Sequence, residues 1–275
     1  MSIVDVVKVM RRHKLRTGRY PNLLNPKTFT DKVQRAKVTW RSPRMVQFAD
    51  KVAAKELVAG LLGPEWVTPT LFAAPRLPPR SDRTWPIPYV IKINHLSNGN
   101  IFIRSEADLE WDAIEAKVEK WLAMDYGSDK GEWAYTKIPR QVLVEPFIGS
   151  LDRPIDYKMY MFGGRFGFTS VNWDRLIGTK RATFDRDWKR LPFVMNAYGD
   201  YDGPNPPVRP VSYDEMIAGA EKLATGFPFC RVDLYEIGDR PRFGEVTFYP
   251  ASGSFVMSPE YDLKVGAMWP PGKPT

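Results

Sequence analysis

FCRVDLYEIGDRPRFGEVTFYPASG, residues 229–253, is the stretch on which the reading of this chain turns. Its two flanks are rich in aromatic and branched residues, and the IGDRPR between them is turn chemistry, so the segment reads as a β-hairpin. A turn centred on Asp239 sets Asp233 opposite Glu245 and Arg231 opposite Thr247. Residues two apart share a face of a strand. One face therefore presents Arg231, Asp233, Glu245 and Thr247 together, with opposed Cβ atoms about 4.5–5.5 Å apart. Two carboxylates that close repel unless a cation lies between them. Mg²⁺ suits the position, because it takes oxygen ligands and keeps phosphates and waters as the rest of its shell. Arg231 adds a fixed positive charge for an anionic reacting group. The alternative is a solvated strand face with one ion pair, Arg231 with Glu245.

Moving outward, residues 212–224 read as a helix, with Ser212 and Glu215 forming a capping box. NWDRLIGTKRATFDRDW before it reads as a polar loop, in which Arg175 and Lys180 either meet an acidic substrate or are simply solvated. DYKMYMF and RFGFTSV form a second hairpin about Gly163-Gly164, with Lys158 sharing a face with Asp156. QVLVEPFIG is a strand interrupted by Pro146, which marks an edge or a place where a planar ligand reads the backbone. PYVIKI, NHLSNGN and NIFIR make a third hairpin. Its tip offers the backbone N–H groups of Ser97, Asn98 and Gly99 to a phosphate chain, and Lys92 supplies a cation. The same letters also occur in ordinary turns, and the loop is neither a Walker loop nor a dinucleotide fingerprint. His95 reads as a turn or packing residue rather than a base.

Helices are expected over 107–123 and, unbroken, over 44–62, where the apolar stripe is broad. Thr30 or Asp31 is expected to cap a helix in NPKTFTDKVQRAKV. WVTPTLF reads as an edge strand because Pro69 cannot donate to a ladder. Residues 74–88 form a loop rich in proline and arginine, and the proline-rich tail from Ser258 is expected on the surface. Residues 2–14 form a helix with an apolar stripe of Ile3, Val4, Val7 and Met10 and a basic C-terminal end. The basic end either complements the helix dipole or gives a peripheral contact with an anionic membrane surface.

The 275 residues, 43% hydrophobic and 26% charged, are ordinary for a globular chain with a real core. Cys230 is the single cysteine, which excludes an internal disulfide and fits a reducing compartment. No apolar run approaches a membrane span and the N-terminus lacks a signal-peptide layout, so a cytoplasmic location is expected. The net charge of +8 suits anionic partners without choosing among them. Hairpins alternating with helices define an α+β chain of two lobes and a cleft. The expected division is a helical lead-in over 1–65, a smaller lobe over 66–145 and a larger one over 146–275, with the boundary near 145–150.

Six stretches taken in order resemble a known family: ADK with Asp50-Lys51, VIKINHLSNGN, VEPFIG, DYKMYMF, CRVDLY, and GEVTFYP followed by Gly253. Together they resemble the ATP-grasp fold, and within it the TupA-like group linked to cell-surface polysaccharide and teichuronopeptide synthesis. The resemblance runs from about residue 20 to the end. It implies a nucleotide cleft between antiparallel sheets, with ATP and Mg²⁺ as cofactors. Lys92 then contacts the ATP phosphates under a mobile loop of Ser97, Asn98, Gly99 and Asn100. Lys51 corresponds to an earlier lysine of the group. Glu145, Pro146, Phe147 and Ile148 form the hinge that reads adenine through backbone groups. Lys158 is a phosphate- or substrate-facing cation, and Arg231 steadies the acyl phosphate and the tetrahedral intermediate. Asp233, Glu245 and Thr247 stand at the metal-ligand positions. Most ATP-grasp enzymes carry asparagine where Thr247 stands; the TupA-like group shares the threonine, whose single oxygen holds a second metal less firmly.

The implied activity is ATP-dependent ligation of a carboxylate to an amine, with a uronic-acid or amino-acid carboxylate and an amino-acid amine as substrates. Two rivals stand beside it. The Asp185-x-Asp187 spacing suits a metal-dependent glycosyltransferase using a nucleotide sugar. The positive charge and the aromatic content suit a non-catalytic nucleotide or nucleic-acid binder, although no DNA or RNA module is present.

Overall fold

The computed structural model describes residues 3–148, 155–173, 179–195 and 206–275. Arg175 and the end of the 145–150 boundary lie outside them. Two antiparallel sheets organise the chain. The smaller contains β1 (Phe72–Ala74), β2 (Tyr89–Ile93), β3 (Asn100–Ile103) and β4 (Val142–Pro146), in the order β1-β4-β2-β3. The larger contains β5 (Asp156–Phe162), β6 (Arg165–Trp173), β7 (Lys180–Phe184), β8 (Phe229–Ile237) and β9 (Arg240–Thr247), in the order β7-β6-β5-β8-β9. The helices are α1 (Ile3–Thr17), α2 (Phe29–Thr39), α3 (Pro43–Ala49), α4 (Ala53–Leu62), α5 (Trp111–Leu122), α6 (Trp133–Thr136), α7 (Tyr213–Ala224) and α8 (Pro259–Met268).

The larger sheet is covered on both sides, but unequally. Its back face, including Tyr157, Met159, Cys230, Val232 and Leu234, is buried, and α7 contacts β5, β6 and β8. The front face is divided. At one end Tyr160, Phe162 and Phe229 lie under Phe29 of α2, whose ring centroid sits 5.2 Å from that of Phe229. At the other end the same face carries Asp156, Lys158, Arg231, Asp233, Glu245 and Thr247. The N-terminal helices and α8 thus supply the apolar roof for half of a sheet whose other half is charged. The smaller sheet has its own core, in which Ile91, Ile93, Ile103, Val142 and Val144 cluster with Ile114 and Val118 of α5.

Several local expectations are corrected. The helix expected over 44–62 is broken, because the Asp50 side chain accepts the N–H of Val52 at 2.9 Å and starts α4 afresh. The cap of α2 is Thr28, whose Oγ1 accepts the N–H of Asp31; Thr30 and Asp31 instead bind Asp262 and Arg19. Helix α5 begins at Trp111, since Ser105 and Asp108 close a capping box on a short 3-10 turn before it. The edge strand starts at Phe72, after Pro69. Lys180–Phe184 pairs with β6 as a fifth strand, not a loop.

Ser212 does not close a capping box with Glu215. Its N–H and hydroxyl both donate to Glu236 at 2.8 Å, while Glu215 approaches Arg240. The tail is no surface strand of prolines: Pro259 opens α8, and Trp269 after it stacks on Phe229 with centroids 4.3 Å apart. On α1 the packed residues are Val9 and His13, so the stripe of Ile3, Val4 and Val7 faces outward. Among the described residues, no helix is long and apolar enough to cross a membrane.

Candidate active site

The hairpin of β8 and β9 brings its four polar residues together. Arg231 pairs with Thr247 and Asp233 with Glu245. The turn consists of Gly238 and Asp239, each with φ of 58°, which pairs Ile237 with Arg240. Two residues with positive φ are the signature of a hairpin turn that matches strand twist. A bulge then places Gly244 as an extra residue between Phe243 and Glu245, and this restores Asp233 to its place opposite Glu245.

β5 adds Lys158 directly beside Asp233. Both oxygens of Asp233 are engaged. Arg231 donates through Nε and Nη2 at 2.6 Å each, and Lys158 Nζ donates at 2.6 Å while reaching Asp156 at 2.5 Å. Burial raises the Asp233 pKa, and the two cations oppose that rise. Glu245 stands more open, with 36% of its side chain accessible. One of its oxygens accepts the Thr247 hydroxyl at 3.3 Å, and the other lies 3.5 Å from Lys51. Burial works against ionisation of Glu245, but Lys51, Arg231 and Lys158 hold its carboxyl below the usual value. These oxygens are the hard donors that Mg²⁺ takes. Glu245 is the carboxylate facing the cavity and Thr247 adds a hydroxyl beside it, whereas Asp233, opposite across the ladder, would have to exchange Arg231 or Lys158 for such a cation.

The break between α3 and α4 explains Asp50-Lys51. Asp50 accepts the Asn94 side-chain amide at 2.8 Å, and Asn94 also binds the backbone at Pro139 and Gln141. Lys51 donates to the carbonyl of Leu96 at 2.8 Å while facing Glu245. The pair therefore ties the base of the 94–99 loop to the carboxylate of the other sheet. Ser97 and Asn98 at the tip are exposed, Asn98 with φ of 66°. His95 is buried beneath the loop, its Nε2 3.2 Å from the carbonyl of Met124, a packing position as expected.

Lys92 of β2 ion-pairs with Glu145 of β4, and Glu145 is held from its other side by Lys55 of α4 at 2.5 Å. Glu145 is buried, which opposes ionisation, yet the charges and hydrogen bonds of Lys92 and Lys55 lower its pKa. Burial also lowers the pKa of Lys55. Lys55 has no signal in the sequence: it is one lysine among the apolar residues of α4.

The end of β4 shows a consistent parity. Phe147 donates its N–H to the carbonyl of Pro88 at 3.0 Å, and Asn94 donates to Gln141 at 3.1 Å, so odd-numbered residues of this stretch bond to β2. In an antiparallel ladder the alternate residues face the other way. The carbonyl of Pro146 and the N–H of Ile148 therefore point towards the β1 side, beyond the first β1 residue, Phe72, which pairs with Val144. Proline fits at 146 because its missing N–H is on that side.

Three connected cavities run through the cleft. The first, about 310 Å³, is lined by Val90, Phe102, Pro146, Phe147, Ile148 and Tyr235, with Lys92 and Glu145. It opens into a charged one of about 280 Å³ that contains Lys51, Lys55, Lys92, Ser97, Asn98, Asn100, Lys158, Arg231, Asp233 and Glu245. Beyond Lys51, Arg231 and Glu245 lies a third, about 350 Å³, walled by Tyr126, Tyr135, Thr247, Ser252 and Ser254, with Arg12 and Arg16 from α1. Gly99 is buried beneath the loop rather than in a cavity wall. The Asp185-x-Asp187 motif lines none of these: Asp185 Oδ1 accepts the N–H groups of Asp187 and Lys189, closing a turn.

Two sheets facing one another across a basic cleft, with paired acids on the last hairpin, define the ATP-grasp class. The chain belongs to the TupA-like ATP-grasp family, whose profile, "TupA-like ATPgrasp", matches residues 31–269. Among solved structures it is similar to the D-alanine–D-alanine ligase of Bacillus anthracis, at 15% identity and a TM-score of 0.41, over 74% of this chain and 57% of that one. It is similar to the Helicobacter pylori D-alanine–D-alanine ligase at 14% and 0.46, over 88% and 69%. For the Bacillus licheniformis L-amino acid ligase the values are 14% and 0.46, over 89% and 55%. The chain thus spans between 55% and 69% of these relatives' lengths. No curated protein matches it.

Proposed function

We propose that the protein is an ATP-dependent carboxylate–amine ligase. The observation that carries this reading is the meeting of Lys51, Lys92, Lys158 and Arg231 with Asp233 and Glu245, between a cavity with aromatic walls and polar residues at its charged end and a second open one. The adenine lies against Phe102, Phe147 and Tyr235 and is read by the carbonyl of Pro146 and the N–H of Ile148. Lys92 and the N–H groups of Ser97 to Asn100 face its phosphates. Glu245, with Thr247 beside it and Asp233 opposite, would hold Mg²⁺, which when bound would neutralise charge on the transferring phosphoryl group.

A substrate carboxylate enters from the third cavity. Its oxygen bonds to the γ-phosphorus as the bond to ADP breaks. An amine then attacks the carbonyl carbon, phosphate leaves, and the amine nitrogen gives up a proton to form the amide. Arg231 lines both cavities, so on this reading its guanidinium would meet the developing oxyanion charge and lower the barrier electrostatically. The chain needs no nucleophilic side chain, and burial pushes the Cys230 thiol far from reactivity. The sequence resemblance extends this reading to a uronic-acid or peptide carboxylate and an amino acid in surface polysaccharide synthesis. The division into a lead-in, a nucleotide lobe and a metal lobe follows the same reading.

The test is release of ADP and phosphate from ATP in the presence of Mg²⁺, with panels of carboxylates and amines. The expected result is release that requires both partners and yields an amide. Release unchanged by any carboxylate, or turnover of a UDP-sugar instead, overturns the reading.

A further inference from the structure

The third cavity has a charge pattern that the ligation chemistry does not use. Lys51, Arg231 and Glu245 form its reacting end. At its far end stand Arg12 and Arg16, one helical turn apart on α1, and Lys130. Their partners are few. Arg12 reaches Asp129 at 3.2 Å, and that carboxylate is 60% exposed. Lys130 lies over the Tyr126 ring, 4.2 Å from its centroid. Arg16 makes no hydrogen bond or ion pair with any described residue. The one carboxylate among the lining residues of this end, Glu132, is buried; burial raises its pKa, and the buried Lys37 opposes that rise.

The wall of this end is built to hold its shape. Ala251, Ser252 and Gly253 all have positive φ, at 47°, 56° and 67°. Left-handed backbone at two consecutive residues with side chains is strained and persists only where its surroundings enforce it. Here the buried Lys37 donates to the Ser252 carbonyl at 2.7 Å and hydroxyl at 2.6 Å, and Gln34 donates to the carbonyls of Ser252 and Gly253. A rigid wall facing three cations, of which, among the described residues, only Arg12 has a carboxylate partner and that one solvent-exposed, fits a fixed anionic group better than a solvated surface.

We propose that the carboxylate substrate of this ligase is at least a dianion, with a second anionic group held by Arg12, Arg16 and Lys130. This rests on the ligase reading for the identity of the first group. The second group is a phosphate ester or a second carboxylate, both of which guanidinium groups grip bidentately. Helix α1 is then a specificity element, and its basic end does more than complement the helix dipole.

The test is calorimetric titration of the protein, saturated with a non-hydrolysable ATP analogue and Mg²⁺, with three probes: butyrate, glutarate and 3-phosphoglycerate. Either probe with a second anionic group is expected to bind at least about 10-fold tighter than butyrate, from the added charge-assisted contact. Arg12→Gln/Arg16→Gln is expected to abolish that preference while leaving butyrate and analogue binding unchanged. Preference for phosphoglycerate over glutarate assigns a phosphate ester, and the reverse assigns a dicarboxylate. Equal binding of all three probes, no binding of any, or a dianion preference that survives the double substitution overturns the proposal. Dianion binding lost in the double variant, without any carboxylate-dependent ADP release in the parent, would instead leave this site standing and remove the ligase reading.

Discussion

Asp233→Asn is expected to leave a folded but weakened protein that Mg²⁺ and ATP no longer protect. Asp233 is 2% exposed and takes three short hydrogen bonds from Arg231 and Lys158. Removing one partner of a buried ion pair costs about 3–5 kcal/mol, because the remaining charge is left uncompensated. Lys158 retains Asp156, and Arg231 retains the Thr247 hydroxyl and the more distant Glu245, so the lower end of that range is expected. Carboxylate-dependent ADP release should fall at least about 100-fold, since both the proposed metal ligand and the aim of Arg231 are lost. Thermal denaturation with and without Mg²⁺ and ATP checks the first effect, and an ADP-release assay the second. A variant that melts with the parent and still gains stability from the nucleotide would contradict the account.

Glu145→Gln is expected to have a comparable cost by a different route. The parent carboxylate sits between Lys55 and Lys92 and, among the described residues, is the only ion-pair partner of either. Without it two ammonium groups face each other across the cleft, one of them largely buried. A loss of about 3–5 kcal/mol corresponds to a melting temperature lower by about 6–20 °C in a chain of this size.

The pH dependence has a definite sign. The folded-state pKa of Glu145 lies below the ordinary glutamate value of 4.5, because Lys92 and Lys55 favour the charged form. Its contribution to stability is therefore complete above that value and is lost as the pH falls through the lowered folded-state pKa. The parent should lose stability there, and Glu145→Gln should lack that part of the acid limb. Melting curves from neutral pH down to about pH 3 measure this, and an acid limb of the same depth in both proteins would refute the assignment.

How much of this was legible in the sequence depends on how local the cause is. The pairing of Asp233 with Glu245 follows from strand alternation, and it survives a misplaced turn because the Gly244 bulge adds back the residue that the two-residue Gly238-Asp239 turn removes. The cross-strand position of Lys158 was legible only as a shared face with Asp156; which strand lies beside β5 is a matter of topology. Lys55 is invisible in sequence, since its ion-pair partner Glu145 lies 90 residues away. The break that exposes Lys51 was hidden by an apolar stripe that continues through it. Asp50 makes the break by bonding the backbone, which the periodicity of neighbouring side chains does not report. Helix α8 was missed because its flanking prolines suggested an irregular tail, although Pro259 stands at the first turn, where proline starts helices. From sequence the basic end of α1 faces lipid or complements the helix dipole, because nothing local says that Arg12 and Arg16 line a cavity with residues from 126–135 and 247–254.

The central claim is that the last hairpin holds a metal ion on a bound triphosphate, and the most direct measurement is titration of a non-hydrolysable ATP analogue into the parent and Glu245→Gln, with and without Mg²⁺. The account predicts binding to the parent that weakens at least about 10-fold when Mg²⁺ is withheld, and no Mg²⁺ dependence in the variant. Equal affinity in all four titrations, or a metal effect of the same size in Glu245→Gln, would contradict it.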